Sequence, residues 1–496
     1  MATLPISAAT SSDARAVLRR AFGYDAFRPG QEELVCAVLG GRDALGILPT
    51  GGGKSVCYQV PAFLVEGLTL VVTPLISLME DQVQRAREVG LQAECLSGTQ
   101  PTETKRAVVE RVRAQRTDLL FVSPERLELA AFRKLLADVR IGLVAVDEAH
   151  CISEWGHDFR PSYRRIAAVT GALPCPTLAL TASATPLVRK DIAANLRLAD
   201  PLTVVHSFDR PNLQWAVLPG ASRRARMRAV YALLCRLPGV AIVYAPTRRS
   251  VEVVRDHLAG CGLTADAYHA AVPGDERSRV QDRFMSGASR VVVATNAFGM
   301  GIDKADVRSV LHVQLPTTLE AYYQEAGRAG RDGAPSVCVA FHARRDGALG
   351  RRFLQRTHPT PLRLMRTHRA LRRAADAAGS IQADGPDSVR ILGSVPREWM
   401  EGEPTGLLGA LERHGAIRRL GTGNGAGTSR VFVHRSPGFE EARRMRRRAT
   451  AKLRAVSRYA RTRGCRRNQI LRYFGEERAD PCGQCDRCGW QVGGGA

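Results

Sequence analysis

Seven residues, Pro49-Thr50-Gly51-Gly52-Gly53-Lys54-Ser55, constrain this chain more than any other stretch. Consecutive glycines followed by Lys and Ser can wrap backbone N–H groups around phosphate oxygens, provided a strand feeds the loop and a helix leaves it. Both neighbours are present. Ala44-Leu45-Gly46-Ile47-Leu48 is a short buried-strand run, and Ser55–Val60 reads as a helix start. In that setting the Thr50–Gly53 backbone cradles phosphates, Lys54 reaches the β/γ-phosphates and the Ser55 hydroxyl suits Mg²⁺. A glycine-rich turn is common on its own, so a second segment matters. Leu143–Val146 is another buried-strand run, and it delivers Asp147-Glu148-Ala149-His150 to the C-terminal edge of a sheet, where open α/β sheets bind ligands. Asp147 suits a metal ligand and Glu148 a base that orients water. Together the two segments imply hydrolysis of a nucleoside triphosphate.

The 496 residues have room for two to four domains. Short apolar runs at Ala44–Leu48, Thr69–Thr73, Asp118–Val122, Leu143–Val146 and Thr177–Thr181 alternate with helical patterns, as βαβ units of a parallel sheet do. A second series follows at Val240–Tyr244, Ala265–His269, Arg290–Ala294, Ser309–Val313 and Ser336–Phe341. The fold class expected is α/β: two parallel-sheet lobes, 13–207 and 208–345, after a flexible N-terminus at 1–12. The link falls near Ser207-Phe208-Asp209-Arg210-Pro211. Beyond Ala343 come the Arg-rich helix Leu362–Ala378, a Gly/Asp/Pro break at Gly379–Asp387, a short helix, Thr405–His414, and two strand patterns around the glycine-rich turn Gly421–Gly427. Three helices then a hairpin is the order of a winged helix, so 346–436 is a candidate for one. A helical module at 437–490 and a tail at 491–496 complete the expectation.

Charge and cysteines narrow the partners. The formal net charge is +24, which favours a polyanion. Six lysines stand against sixty-six arginines, a bias that genome composition also produces, so charge is supporting evidence only. No run of eighteen apolar residues exists, and the N-terminus lacks the basic-then-apolar order of a secretory signal. A cytoplasmic protein is expected, nucleoid-associated if bacterial, with no membrane partner. Eight scattered cysteines fit buried apolar positions. Cys465, Cys482, Cys485 and Cys488 instead cluster with paired C-x₂-C spacing. Four thiolates suit tetrahedral Zn²⁺, with a [4Fe–4S] cluster as the rival.

Further segments sit where a two-lobe motor needs them. The two-sided amide of Gln31, in Phe27-Arg28-Pro29-Gly30-Gln31, can read adenine. Gln324-Glu325-Ala326-Gly327-Arg328-Ala329-Gly330-Arg331 offers two arginines three apart that can reach across a cleft to a γ-phosphate. Trp155 and Phe159, in Ile152-Ser153-Glu154-Trp155-Gly156-His157-Asp158-Phe159-Arg160, can stack on bases at about 1–3 kcal/mol each.

The combination resembles superfamily-two helicases and, within them, the RecQ family of DNA helicases. The resemblance is carried by Phe22–Gln31, Pro49–Gln59, Thr73–Val83, Ser123–Leu127, Asp147–Pro161, Thr181–Thr185, Ala294–Lys304 and Tyr322–Gly333. It implies RecA-like lobes and a role for each matching position. Tyr24, Arg28 and Gln31 would hold adenine. Thr50, Gly51, Gly52, Gly53, Lys54, Ser55 and Asp303 would line the ATP site. Asp147, Glu148 and His150 would join Lys54 in catalysis, with Arg328 and Arg331 as arginine fingers. Thr181, Ser183 and Gln324 would couple the lobes. Trp155, His157, Phe159 and Arg160 would meet DNA. Cys465-Arg466-Arg467, Tyr473–Glu476 and Cys482–Cys488 resemble the family's zinc-binding module, which favours a structural Zn²⁺.

The order of parts departs from the family's usual motor, zinc module, winged helix. The candidate winged helix precedes Cys465, as an insertion with Phe439–Tyr459 as the returning helix, and only eight residues follow Cys488, so no later domain is expected. The strand-separating hairpin has no positional match; the wing at Leu420–Val431 is its candidate substitute. The resemblance implies an ATP-dependent helicase that moves 3′→5′ on single-stranded DNA and opens duplex or forked DNA in repair and recombination. An RNA-directed ATPase of the same superfamily and a non-enzymatic DNA-binding scaffold are the rivals. No protein partner can be named from sequence.

Overall fold

The computed structural model describes residues 10–491 except 50, 75, 99, 154–155, 157–159, 221, 300–301, 303, 344, 378–389, 393–403, 421–429 and 434–437. The glycine-rich turn of the candidate wing, the Gly379–Asp387 break and the extreme N-terminus therefore lie outside the described residues.

Residues 1–342 and 462–496 form one unit, and 343–461 a second. In the first unit, seven strands build the first lobe: β1 Ala44–Ile47, β2 Leu68–Val72, β3 Ala93–Leu96, β4 Leu119–Val122, β5 Ile141–Val146, β6 Thr177–Thr181 and β7 Leu202–Val205. All pair parallel, in the order β3-β4-β2-β5-β6-β1-β7. The inner strands are buried on both faces, which is why they read as unbroken apolar runs. Leu34, Tyr58, Val71, Phe121, Leu143 and Leu180 are among the buried residues that join the sheet to its helices.

The second lobe repeats the plan with β8 Leu213–Pro219, β9 Val240–Tyr244, β10 Asp266–Tyr268, β11 Val291–Ala294, β12 Val307–His312 and β13 Ser336–His342. Its parallel order is β10-β11-β9-β12-β13-β8. The sequence pattern omits β3, β7 and β8, and all three are edge strands. β7 alternates between half-buried and exposed positions, so it lacks the apolar run of an inner strand. β8 carries Gln214 and ends at Pro219, tolerable on an edge where a missing N–H breaks no inner ladder.

Strand order positions the chemistry. β5, β6 and β1 are adjacent, with Ile47 opposite Thr181 and Val146 opposite Ala179. The loops leaving their C-terminal ends therefore meet: the phosphate loop, Asp147-Glu148 and Thr181–Ser183.

The second unit holds the helices Asp346–Thr357, Pro361–Ala377, Pro404–Arg413 and Glu440–Arg461, with β14 Arg390–Leu392, β15 Ile417–Leu420 and β16 Arg430–Val433. Its antiparallel sheet runs β14-β16-β15. β14 lies in a stretch where the sequence suggested a short helix. Leu364, Leu371, Leu408, Leu411, Ile417 and Phe439 form the core. The long helix Glu440–Arg461 packs within this unit.

Candidate nucleotide site, relay and metal centre

The phosphate loop turns on glycines that no other residue could replace cheaply. Gly51 and Gly53 have φ of 79° and 70°. At Gly52 a Cβ would stand 2.8 Å from the Pro49 carbonyl oxygen. The loop is braced by the segment the sequence assigned to adenine. Gln31 Nε2 donates to the Gly52 and Gly53 carbonyls at 2.9 and 3.0 Å, while Gln31 Oε1 accepts the Arg28 N–H at 2.9 Å. The Arg28 guanidinium donates to the Gly51 carbonyl. Tyr24 stands exposed nearby in the chain, open to stacking. Thr50 and Asp303 lie outside the described residues.

From Lys54 a polar path crosses the site. Lys54 Nζ donates to Glu148 Oε1 at 3.3 Å, and Glu148 Oε2 lies 3.2 Å from His150 Nδ1. His150 Nδ1 is also 2.9 Å from Thr181 Oγ1, which accepts the Ser183 N–H at 3.3 Å. Ser183 Oγ accepts from Gln324 Nε2 at 3.0 Å. Gln324 belongs to the second lobe. One chain of contacts thus joins the phosphate loop, the acidic pair and the far lobe.

Backbone geometry serves the same centre. Glu148 is held at φ 47°, a left-handed conformation that a non-glycine residue adopts at a cost of order 1–3 kcal/mol. The turn aims the Glu148 carboxylate at Lys54 and His150 instead of along the strand. Tyr163, absent from the motif reading, donates its hydroxyl to the Asp147 carbonyl at 3.1 Å. Its signal was only an aromatic close to the acidic motif in sequence.

Burial and the neighbouring Glu148 charge push the Asp147 carboxyl up to about 6. For Glu148, burial also opposes ionisation, but Lys54 and His150 hold its carboxyl well below the usual range. Glu148 is therefore the more readily ionised of the two. A divalent cation would reverse the penalty on Asp147. Ser55 hydroxyl and Asp147 carboxylate are hard oxygen donors of the kind Mg²⁺ takes alongside phosphate oxygens and water.

The two candidate arginine fingers differ. The Arg331 side chain lies on the phosphate loop: a Cβ on Gly51 would be 3.2 Å from its Cγ. Arg328 is buried inside the second lobe and donates to the Gly299 carbonyl. Trp155, His157 and Phe159 fall outside the described residues; the described Gly156 and Arg160 are both held in place. Gly156 sits against the His150 carbonyl so closely that no Cβ would fit. Arg160 NH1 donates to the Pro74 carbonyl at 2.7 Å, and its N–H to the Cys151 carbonyl at 2.9 Å. Gly156 therefore lies directly against the His150 backbone.

The four terminal cysteines converge, all Sγ atoms lying within 4.8 Å of one another. Cys482–Cys488 and Cys485–Cys488 are 4.0 and 3.4 Å apart. A Zn–S bond of about 2.3 Å places tetrahedral thiolates roughly 3.8 Å apart, so a single Zn²⁺ fits, whereas a cubane would spread its ligands wider. Backbone N–H groups of Arg466, Asn468 and Gln484 point at three of the sulfurs, as thiolates require. The knuckle also finishes β8: Trp215 N–H donates to the Gln484 carbonyl at 3.3 Å and Asp486 N–H to the Trp215 carbonyl at 3.0 Å.

Known protein families match three segments of the chain. The DEAD/DEAH box helicase family matches residues 28–192, the helicase conserved C-terminal domain 225–333, and the RecQ zinc-binding family 426–489. The Haemophilus influenzae ATP-dependent DNA helicase RecQ is 34% identical over 96% of this chain and 63% of its own length. The Bacillus subtilis probable ATP-dependent DNA helicase RecS is 40% identical over 67% of this chain and 68% of its own. Against the RecQ proteins of Haemophilus influenzae, Pasteurella multocida and Bacillus subtilis the match spans 63%, 55% and 58% of the relative. A DNA-bound structure of the helicase MrfA shares the fold, with a TM-score of 0.55 and 19% identity over 92% of this chain and 62% of that one.

Two outcomes test the site. Gln324→Ala breaks the path between lobes, and polynucleotide-stimulated ATP turnover should fall by about tenfold, since each lost hydrogen bond to a charged or buried partner is worth roughly 1.5 kcal/mol. Binding of a fluorescent ATP analogue should stay within twofold, read by titration. Cys485→Ser should lower bound zinc well below one ion per chain by elemental analysis and reduce soluble yield; a stable, fully active, zinc-free variant would exclude a structural metal.

Proposed function

The chain belongs to the RecQ family of DNA helicases, and from that we propose that it is an ATP-dependent DNA helicase that tracks 3′→5′ on single-stranded DNA and opens duplex or forked DNA. The observation that carries the reading is the polar path Lys54–Glu148–His150–Thr181–Ser183–Gln324 together with Arg331 on the phosphate loop. A triphosphate held between the lobes would touch both ends of that path. Lys54 and the loop backbone bind the phosphates, Glu148 orients water, and Arg331 stabilises charge on the γ-phosphoryl group as it passes to water and ADP departs. Ser55 and Asp147 would hold Mg²⁺, which neutralises phosphate charge when bound. Turnover then depends on lobe closure, so closure and release can move a strand.

The DNA side rests on the aromatic segment around Gly156, which itself lies against the His150 carbonyl. Aromatic stacking by Trp155 and Phe159 would be sequence-tolerant. Melting DNA costs about 1.4 kcal/mol per base-pair step, a load that one hydrolysis event can carry. For the second unit, the sheet order β14-β16-β15 supports a winged helix, with the first strand beside the last. On its long helix the exposed Arg443, Arg447, Arg454, Arg458 and Arg461 share one side, a row suited to duplex phosphates. A role in repair and recombination, in the cytoplasm or nucleoid, follows from the family; no described helix is long and apolar enough to cross a membrane.

The deciding experiment is ATP turnover with single-stranded DNA or RNA of equal length, followed by unwinding of forks with defined polarity. DNA should stimulate more strongly, and forks with a free 3′ tail should open. Stronger stimulation by RNA would favour an RNA-directed ATPase. Lys54→Ala should cut turnover by about 10²–10³-fold, the usual cost of one lost charge-stabilising donor; DNA binding that the substitution leaves unchanged, with no turnover in either chain, would support a scaffold.

A further inference from the structure

The zinc module sits far from the phosphate loop in sequence, yet its hydrogen bonds lead back to it. We infer that the inter-lobe linker Ser207–Asn212 is a two-sided bracket, through which the zinc module positions the loop that carries Arg331. The inference rests on the helicase reading above and adds positioning residues to it.

Topology brings the parts together. The linker precedes β8 and the arginine loop precedes β13, and these are adjacent parallel strands with Leu213 opposite Ser336. On the arginine side, the linker satisfies backbone carbonyls in the turn that follows the helix Leu319–Ala326. Arg210 NH1 donates to the Gly327 carbonyl at 3.1 Å, and NH2 to those of Ala329 and Gly330 at 2.8 and 3.0 Å. Asn212 Nδ2 donates to the Gly330 and Ala334 carbonyls at 2.8 and 3.0 Å. Gly330, at φ 56°, has no room for a Cβ against that amide. Every residue from Gly327 to Gly330 except Arg328 is thus gripped through its backbone by the linker, one residue before Arg331.

The opposite side of the same linker is gripped by the zinc module. Cys465 caps the helix Arg466–Tyr473, and the residues at the end of that helix reach the linker. Phe474 stacks on Phe208 at 4.2 Å and 5°, and Tyr323, on the arginine helix, closes the cluster at 5.0 Å from Phe474. Tyr323 donates its hydroxyl to the Phe208 carbonyl at 3.0 Å. Glu476 accepts from Ser207 Oγ at 2.7 Å and from the Phe208 N–H. Asp209 takes both Arg467 and Arg478. Arg467 is 5% exposed, and a buried guanidinium is stable only with such a partner. The first lobe joins in, since Arg189 NH2 donates to the Phe474 carbonyl at 2.9 Å. A metal centre that merely completed the edge of β8 would not need this second set of contacts.

The test is a double-substitution cycle in the full zinc-loaded chain. Asp209→Asn and Phe474→Leu keep shape while weakening the zinc-side grip. Each should leave bound zinc and the affinity for a fluorescent ATP analogue within about twofold, while DNA-stimulated kcat falls roughly 10- to 10²-fold, as for a reacting group displaced by about 1 Å. Combined with Arg331→Ala, neither should lower kcat further, because residues acting as one unit are non-additive. Hydrogen exchange of the 327–334 backbone should rise in both variants and in chelator-treated protein. Multiplied losses with Arg331→Ala, or unaltered exchange at 327–334, would overturn the bracket. Should the unmodified chain show no polynucleotide-stimulated turnover, the helicase reading fails, and the exchange measurement still decides whether the zinc module holds the loop.

Discussion

Glu148 is held ionised in a part-buried place by two neighbours, Lys54 and His150, and much of the molecule follows from keeping them there. Without such partners, burial pushes a carboxylate towards its neutral form. Lys54 comes from the loop after β1, Glu148 and His150 from the turn after β5, and Thr181, which steadies His150, from the end of β6. Three adjacent parallel strands are the simplest frame that can present all of them at one edge. The strained backbone of Glu148 is where the frame meets the cost of that arrangement. Gln324 then extends the network of contacts to the second lobe.

The inner strands and the site's first layer were legible in the sequence because both leave local signatures. Strands buried on both faces must be apolar runs, and phosphate loops must be glycine-rich. Edge strands leave weaker signs, which is why β3, β7 and β8 emerged only with the structure. The direction of a long side chain is harder still. Arg328 and Arg331 are equivalent as sequence, three apart beside glycines, yet one turns inward to the Gly299 carbonyl and the other lies on Gly51. Gln31 was read as a recognition amide; its placement on the Gly52 and Gly53 carbonyls also makes it a brace for the loop, a contact set by the packing of two helices rather than by any pattern.

Cysteine spacing disclosed the metal ligands, and the sulfur separations are those of one ion rather than a cluster. Nothing in that spacing tells where the module docks. The reason lies in Phe208-Asp209-Arg210-Pro211-Asn212, which reads as an ordinary polar linker until its partners are seen. Its residues divide in allegiance: Phe208 and Asp209 meet the zinc module, Arg210 and Asn212 the arginine loop. The division of the chain into 1–342 with 462–496, and 343–461 apart, follows from the same docking, since the cysteine-bearing end is tied to the linker.

The claim that a triphosphate joins the two lobes through Arg331 and Gln324 is tested most directly by distance. Spin labels placed on exposed positions of the two lobes would report their separation by pulsed electron resonance. The account predicts that a non-hydrolysable ATP analogue with Mg²⁺ shifts the distribution to shorter, narrower distances, and that Arg331→Ala abolishes the shift. The same distribution with and without the analogue would contradict it.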